Sequence, residues 1–232
     1  MFRKGEPKAA ERPDQCPPTP VPETSDLGEL RRAAANCRAC SLYKNATQTV
    51  FGEGGREADV VLVGEQPGDQ EDYAGKPFVG PAGRILDQAL QAAGIDRSSC
   101  YVTNAVKHFK WKPSGKRRLH EKPSAREIEA CRPWLQAELR SLRPDIVVCL
   151  GATAVRAAYG KNLPVLKNRG QWIPSLLGPN TTITVHPSSI LRAIDPAAKE
   201  KAFADFVTDL DAVAAALRSK PQSRPLPSRE LF

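Results

Sequence analysis

Four short apolar runs rich in β-branched residues divide the chain. They occupy residues 59–64, 101–106, 145–151 and 181–185. Because these runs are continuously apolar rather than alternating, they indicate strands that are buried on both faces of a sheet. Helical spacing of apolar residues separates the strands, and this alternation predicts an α/β fold with a mostly parallel sheet and helices on both faces.

Three amphipathic stripes predict the main helices. The first runs over residues 85–93 and is closed by Gly94. The second covers residues 128–139 and follows a capping box formed by Ser124 and Glu127. The third covers residues 203–217 and follows the start signal Asp195-Pro196. A further short helix is expected before residue 37.

The chain is expected to form one domain over residues 25–218. Residues 1–24 are rich in proline and residues 219–232 are basic and contain proline, so both are predicted to be disordered tails. No run approaches the ~20 apolar residues of a membrane helix, and the first residues lack the apolar stretch of a signal peptide. We therefore expect a soluble, cytoplasmic protein without a membrane partner, and a monomer.

The positive charge is concentrated in one segment. The chain carries a formal net charge of +8, and residues 107–126 hold eight basic residues against the single acid Glu121, a net +7. Phe109 and Trp111 lie in the same segment and are able to stack on bases. A polyanion is one natural partner for it. A solvated basic loop is the alternative interpretation.

Polar residues follow three of the predicted strands. Glu65 follows the first strand, Asn104 lies near the end of the second, and His186 follows the last. Each alone has a structural explanation, as a loop charge, a turn residue or a core histidine. Since the carboxyl ends of parallel strands share one edge, we expect an acid, an amide and an imidazole to converge there.

Two of the six cysteines have metal-ligand spacing. Cys37 and Cys40 form a C-x-x-C motif, and two thiolates at this spacing bind one metal ion or cluster. Further ligands must come from elsewhere in the chain, and Cys131 and His108 are the best candidates. At this level zinc and an iron–sulfur cluster are equally compatible with the residues.

Five ordered motifs together resemble the iron–sulfur uracil-DNA glycosylases. The motifs are GEQPG at 64–68, GKPFVGPAG at 75–83, YVTNAVK at 101–107, ACRP at 130–133 and HPSS at 186–189. The resemblance spans about residues 36–217. It implies a three-layer α/β/α sandwich around a four-stranded parallel sheet and a [4Fe–4S] cluster.

Within this superfamily the chain looks most like the X-type (UdgX) subgroup, which becomes covalently attached to the DNA from which it removes uracil. The resemblance lies in the segment KRRLH at 116–120, and it implies that His120 attacks the sugar. His108 stands where family-four enzymes carry a cluster cysteine. By resemblance it completes the ligand set Cys37, Cys40, His108 and Cys131.

The remaining roles combine this resemblance with the chemistry of the residues. Asn104 is suited to donate to uracil O4 and accept from N3–H, and His186 to bind the uracil oxygen as charge accumulates. Glu65 opposes the sugar cation and orients or deprotonates His120. The other predicted pocket residues are Gln66, Gly68, Asp69 and Phe78, and the predicted DNA contacts are Lys116, Arg117, Arg118, Lys122, Ser188 and Ser189.

The expected substrate is uracil-containing DNA, including single strands, with uracil as the released base. Two alternatives stay open. One is a turnover glycosylase that leaves a free abasic site, and the other is a non-catalytic cluster-bearing module that binds nucleic acid. A dinucleotide-binding enzyme is disfavoured, because residues 64–68 lack the G-x-G-x-x-G spacing and contain a proline.

Overall fold

The centre of the molecule is a parallel sheet whose four strands lie side by side in the order 100–104, 60–64, 146–150 and 181–184. A computed structural model describes residues 19–219. Its strands are β1 (Val60–Gly64), β2 (Cys100–Asn104), β3 (Trp111–Ser114), β4 (Arg117–His120), β5 (Ile146–Leu150) and β6 (Thr181–Thr184). The four apolar runs of the sequence are the four sheet strands, so the predicted parallel sheet is confirmed.

Helices cover both faces of this sheet. They are α1 (Leu27–Ala34), α2 (Asp69–Ala74), α3 (Pro81–Ala92), α4 (Ala125–Leu142), α5 (Ala152–Tyr159), α6 (Val165–Asn168), α7 (Pro187–Leu191) and α8 (Pro196–Arg218), with short 3₁₀ turns at Ser41–Lys44 and Arg97–Ser99. One core lies between the sheet and α1, α4 and α5, and the other between the sheet and α3, α7 and α8. This arrangement is the predicted three-layer sandwich.

The predicted helix signals operate as caps. Ser124 Oγ accepts from the backbone N–H of Glu127, whose carboxylate accepts from the N–H of Ser124 at 2.6 Å. Asp195 caps α8 and Asp26 caps α1 in the same way, through backbone N–H groups three residues later. The sequence therefore contains the start points of three of the helices.

The basic segment forms an antiparallel hairpin rather than a loop. Strands β3 and β4 pair in register, with Trp111 opposite His120 and Ser114 opposite Arg117. Gly115, at φ 59°, opens the two-residue turn between them, a conformation that favours glycine. The hairpin places His120 at the end of β4, beside the carboxyl edge of the main sheet.

A short part of the predicted N-terminal tail contacts the domain. Residues 1–18 and 220–232, which hold most of both predicted tails, lie outside the described residues. Thr19, inside the predicted N-terminal tail, donates a hydrogen bond to the carbonyl of Ala130 in α4, and Val21 packs on the core. Within residues 19–219, no helix has both the length and the apolar character needed to cross a membrane.

Candidate active site

A cavity of about 690 Å³ opens at the carboxyl ends of the sheet strands. It is the place at which the three strand-end residues were expected to converge, and Glu65, Asn104 and His186 all line it. Register explains the convergence, since Gly64 of β1 pairs with Asn104 of β2. The other lining residues are Gln66, Gly68, Asp69, Gln70, Glu71, Phe78, Pro81, Ala82, His120, Lys122, Ser188, Leu191 and Arg192.

The hairpin brings an imidazole to the strand-end carboxylate. His120 Nε2 lies 3.5 Å from Glu65 Oε1, and the His120 side chain is 45% exposed. Glu65 Oε1 is buried and has no hydrogen-bond partner among the described residues. A buried carboxylate oxygen without a donor is costly to maintain. Because both side chains line the cavity, the pair is a candidate reacting centre.

His186 is held as a neutral hydrogen-bond donor. Its Nδ1 accepts the backbone N–H of Ser188 at 3.2 Å and lies 2.8 Å from the Ser188 hydroxyl. A backbone N–H only donates, so Nδ1 carries the lone pair and the proton of the neutral ring sits on Nε2. Burial chiefly, together with the charges of Arg192 and His120, lowers the pKa of His186 to about 4. The cavity therefore faces an Nε2–H donor without a full charge.

Phe78 and Asn104 are packed closely at the base of the cavity. Phe78 adopts a left-handed backbone conformation, with φ 57°, which costs a non-glycine residue about 1–2 kcal/mol. Its ring centroid lies 6.0 Å from that of His186. A Cβ at Gly64 would come within 2.4 Å of Asn104 Oδ1 and 2.7 Å of the Phe78 ring. Glycine at this strand end therefore leaves the room that the side chains of Asn104 and Phe78 occupy.

Gln66 and Glu71 hold the loops around the cavity. The sequence predicted Gln66 only as a pocket residue and did not indicate Glu71. The Gln66 amide donates to the carbonyls of Lys110 and Glu121, 3.1 and 3.0 Å away, at the two ends of the hairpin. Glu71 accepts the backbone N–H groups of Gly68 and Gly80, at 3.1 and 2.8 Å. The position of Glu71, three residues after Gly68, is the available capping-box signal for it.

Arg118 anchors the hairpin to α2. Its guanidinium contacts Asp69 Oδ1 and Asp72 Oδ2, both at 2.6 Å, and lies over the rings of Tyr73 and Phe109. Asp72 is fully buried, and the Arg118 side chain is only 14% exposed. Asp69 lines the cavity while it holds this arginine. Phosphate binding by Arg118 and substrate contact by Asp69 stay predictions, and the structure adds an internal role for both.

Removing this anchor is expected to loosen the hairpin selectively. In Arg118→Leu the carboxylate of Asp72 loses its cationic partner, at a local cost of about 1–3 kcal/mol. We expect backbone amides of residues 111–120 to exchange hydrogen about tenfold faster, while β1 and β5 are unchanged. Hydrogen–deuterium exchange read by mass spectrometry measures this directly. Arg117→Leu, an exposed neighbour on the same strand, is the control, and equal exchange in both variants would contradict the anchor.

At least four of the eight basic residues in the segment are neutralised internally. Lys107 pairs with Glu138, Lys110 with Glu127 and Lys112 with Glu121, in addition to the Arg118 anchor. Lys116, Arg117 and Lys122 are exposed and form no ion pair among residues 19–219, and Lys122 lines the cavity. The segment therefore combines ion pairs inside the protein with three exposed cations, one of which, Lys122, lines the cavity.

The two serines after His186 are already hydrogen-bonded. Besides its contact with His186 Nδ1, Ser188 Oγ accepts from Arg192 Nη1 at 3.0 Å. Ser189 Oγ donates to the His186 carbonyl at 2.7 Å. Arg192, which the sequence interpretation did not select, connects the cavity rim to His186 through Ser188. Its motif position, six residues after His186, carried no chemical signal by itself.

Three cysteine side chains lie near one another beneath the segment that follows β2. Cys37, Cys40 and Cys131 are buried, and none of them forms a disulfide bond within residues 19–219. Burial chiefly, with a smaller effect of the nearby Cys40 and Cys37, raises the pKa of Cys131 to about 12 although Lys107 acts to lower it. Trp134 Nε1 donates to Cys37 Sγ and the Lys107 N–H to Cys131 Sγ, each at 3.2 Å. Such N–H donors to sulfur are a usual setting for cluster thiolates.

His108 lines a small polar cavity together with Cys37. Its Nε2 lies 2.9 Å from Thr49 Oγ1, and this hydroxyl donates its own proton to the Ala34 carbonyl. Thr49 must therefore accept from Nε2–H, which leaves the lone pair on Nδ1. A histidine ligand is commonly oriented by such a second partner. Among residues 19–219, no three or more His, Cys, Asp or Glu side chains are grouped so as to bind one metal ion.

Comparison with known proteins agrees with this geometry. The sequence profile of the uracil DNA glycosylase superfamily matches residues 51–211. The type-4 uracil-DNA glycosylase of Thermotoga maritima is 41% identical over 157 residues, which cover 67% of this chain and 78% of that protein. The type-4 enzyme of Pyrobaculum aerophilum is 33% identical over 178 residues, covering 72% of this chain and 85% of that one. The enzyme of Archaeoglobus fulgidus is 38% identical over 133 residues, 57% and 63% of the two chains.

The chain belongs to the uracil DNA glycosylase superfamily. The superfamily assignment made from the five motifs is thereby confirmed, and so is the sandwich fold that it implied.

Proposed function

We propose that this protein excises uracil from DNA and is then captured on the product through His120. The observation that carries the proposal is the placement of His120 against the orphan oxygen of Glu65, on the rim of a cavity that also holds Asn104 and His186. A group that recognises the base, a hydrogen-bond donor for the leaving group and a nucleophile therefore line one cavity. The similarity to type-4 uracil-DNA glycosylases supports excision.

Uracil enters the cavity as a nucleotide turned out of the DNA or presented on a single strand. The Asn104 amide donates to uracil O4 and accepts from N3–H, a pattern that cytosine reverses. Phe78 stacks on the ring, and its strained backbone is consistent with a functional position. Gln66 and Gly68 shape the wall between the base and the hairpin.

Breaking the C1′–N1 bond leaves both bonding electrons on uracil and cationic character on the sugar. The Nε2–H of His186 stabilises the uracil oxygen on which the negative charge accumulates. The carboxylate of Glu65 faces the sugar cation. The lone pair of the His120 imidazole then forms a C–N bond with C1′, and the proton left on the ring passes to Glu65 or to solvent.

The phosphates on either side of the uracil are bound at the cavity rim. Lys122 lines the cavity, and Lys116 and Arg117 are exposed on the neighbouring hairpin, so all three offer point charges that position the strand without reading its sequence. Ser188 also lines the cavity, and Arg118 and Ser189 are further phosphate contacts in this proposal, although each of these three residues already has an internal partner. Since this geometry needs only one extruded nucleotide, single-stranded DNA satisfies it.

The four residues Cys37, Cys40, His108 and Cys131 would hold a [4Fe–4S] cluster. Three buried thiols, two of which accept from N–H donors, and an oriented imidazole fit the donor chemistry of such a group. When bound, the cluster would cross-link the end of α1, the segment after β2 and α4. The excision and capture steps transfer no electron, so this role is structural.

The proposed excision is tested by the base itself. Purified protein is mixed with an oligonucleotide that carries one isotope-labelled uracil, and free uracil is quantified by mass spectrometry. We expect one uracil per protein molecule and then no more, since capture consumes the enzyme. An oligonucleotide with thymine at the same position is the control. Absence of released uracil would favour the non-catalytic binding module, and continued release would favour the turnover glycosylase.

Replacing the histidine ligand is expected to remove the cluster. His108→Ala should be isolated with a much weaker brown chromophore, because one iron loses its protein ligand and solvent reaches it through the adjacent cavity. His108→Cys is the matched variant and should retain the colour. Iron and sulfide analysis with the visible spectrum measures both. A full chromophore in His108→Ala would show that His108 only lies near the cluster.

The pH dependence of excision is expected to show no titration of His186 above about pH 5. Because the folded-state pKa of His186, about 4, lies below the ordinary value of about 6.5, its neutral form is present across the physiological range. Between about pH 4 and 6.5 this histidine binds more protons in the unfolded chain than in the folded one. The stability contributed by neutral His186 is therefore complete above pH 6.5 and is lost as pH falls towards 4.

Single-turnover uracil release measured from pH 5 to 8 checks this expectation. His186→Asn, which keeps a donor but cannot titrate, is the comparison and should follow the same pH profile at a lower rate. A wild-type rate that falls as pH rises through 6–7, and a flat profile in His186→Asn, would mean that the protonated form of His186 is the active one.

A further inference from the structure

A second pair of opposite charges lies beneath the cavity, where the proposed chemistry does not use it. Lys107 Nζ and Glu138 Oε2 are 2.5 Å apart, and the two side chains are 1% and 0% exposed. Glu138 lies on α4, and Lys107 lies in the segment that follows β2. Burying two charges is expensive, and such pairs are often replaced by apolar residues without loss of stability. The fold alone therefore does not explain the pair.

The hydrogen bonds of the pair are complete. Glu138 accepts from the Gly52 N–H at 2.9 Å and from the Tyr101 hydroxyl at 3.0 Å, and Thr103 bridges it to the lysine. The three protons of the Lys107 ammonium have three acceptors, namely Glu138, the Thr103 hydroxyl and the carbonyl of Asn104 at 3.0 Å. One end of this network thus terminates on the residue proposed to read uracil.

The backbone around Lys107 joins the same residue to the cysteines. The N–H of Lys107 donates to Cys131 Sγ at 3.2 Å, and its carbonyl accepts from Val50 at 2.8 Å. Between Asn104 and Lys107 the chain turns over the end of β1, where Val106 donates to the Glu65 carbonyl at 3.0 Å. The segment from residue 104 to 107 is therefore held from below by the ion pair and from the side by the thiol layer.

We infer that Lys107 and Glu138 are positioning residues which fix the carbonyl, and with it the side-chain direction, of Asn104 in the uracil pocket. The inference rests on the proposed excision of uracil. The Asn104 amide has to present its donor and its acceptor to one edge of the base, and an ammonium clamped at 3.0 Å on its own carbonyl restricts rotation of this residue. A misplacement of about 1 Å at such a position reduces the rate of reaction by about 100-fold.

The double variant Lys107→Met/Glu138→Leu separates positioning from folding, because it removes both charges together and leaves no unpaired ion. We expect it to fold and to keep its chromophore. Its saturated single-turnover rate of uracil release should be about 100-fold below that of the wild type, with an unchanged DNA concentration at half-saturation. Inhibition by free uracil should weaken in parallel, because the pocket binds the base less well.

Leu210→Ala is the control for general destabilisation. Leu210 is fully buried in the opposite core against α3 and α7, and its loss should lower the melting temperature without changing the saturated rate. A double variant with the wild-type saturated rate and wild-type inhibition by uracil would overturn the inference. If the wild type itself releases no uracil, the proposed function fails first, and this result is seen before any variant is made.

A single substitution provides the test if the double variant does not fold. Thr103→Val keeps the volume and both charges but removes the hydroxyl between Nζ and the carboxylate. We expect the saturated rate to fall about tenfold at unchanged DNA affinity, with Thr153→Val, in α5, as the matched control. An unchanged rate in Thr103→Val would likewise overturn the inference.

Discussion

Replacing His120 by alanine abolishes the covalent adduct and leaves uracil release in place. This result is expected because His120 supplies the nitrogen that captures C1′, whereas Asn104 and His186, which bind the base, lie on other elements. Water then reaches the sugar cation instead, and the product becomes a free abasic site. The enzyme is no longer consumed and releases more than one uracil per molecule.

The adduct is measured on a denaturing gel with a uracil-containing oligonucleotide, and released uracil is quantified in the same reaction. Leu119→Ala is the matched control, since Leu119 is the exposed neighbour on β4 and its loss leaves the His120 imidazole in place. A full adduct band in His120→Ala would show that another residue is the nucleophile.

Glu65→Gln is expected to slow uracil release itself by about 10²- to 10³-fold, the usual effect of removing one preorganised electrostatic contact from a reacting centre. The amide keeps the size of the side chain but loses the negative charge that opposes the sugar cation. The substitution also removes the carboxylate that accepts the His120 proton. The adduct then forms only as fast as the slowed excision allows.

The rate is measured in single turnover at saturating DNA, which separates the chemical step from binding. Glu129→Gln, an exposed carboxylate on α4, is the control for a change of net charge. If Glu65→Gln released uracil at the wild-type rate, the orphan oxygen beside His120 would have no catalytic importance.

The fold could be predicted because its signals are local. The four strands are continuous apolar runs, and the capping residues Ser124 and Asp195 mark helix starts within the sequence. The convergence of Glu65, Asn104 and His186 followed from one rule about parallel sheets, since the chain enters the cavity directly after each strand. No knowledge of side-chain packing was needed for this part.

The hairpin was not predicted because apolar and polar residues do not alternate along its strands. Both strands are mostly exposed, and their order comes from tertiary contacts, chiefly Gln66 between Lys110 and Glu121 and the anchor of Arg118. The ion pairing of the basic segment was not predicted for the same reason. Ion pairing between residues far apart in the chain, such as Lys107 and Glu138, leaves no pattern in the local sequence.

The burial of Glu65 Oε1 and the neutral state of His186 also emerge only from the folded chain. The burial of Glu65 Oε1 accompanies a contact between distant segments, β4 against the end of β1. The neutral state of His186 depends chiefly on its burial in the folded chain, while the nearby Ser188 N–H sets its tautomer. The residue types suggested acid, imidazole and amide chemistry, whereas their protonation and distances determine which step each one performs.

The most direct test of covalent uracil excision is a denaturing gel. Purified protein is mixed with a labelled single-stranded oligonucleotide that contains uracil, then boiled in detergent and run beside a thymine control. We predict a slowly migrating band with uracil only, which is absent in His120→Ala. An abasic product without this band would contradict the capture step, and an unchanged oligonucleotide would contradict uracil excision altogether.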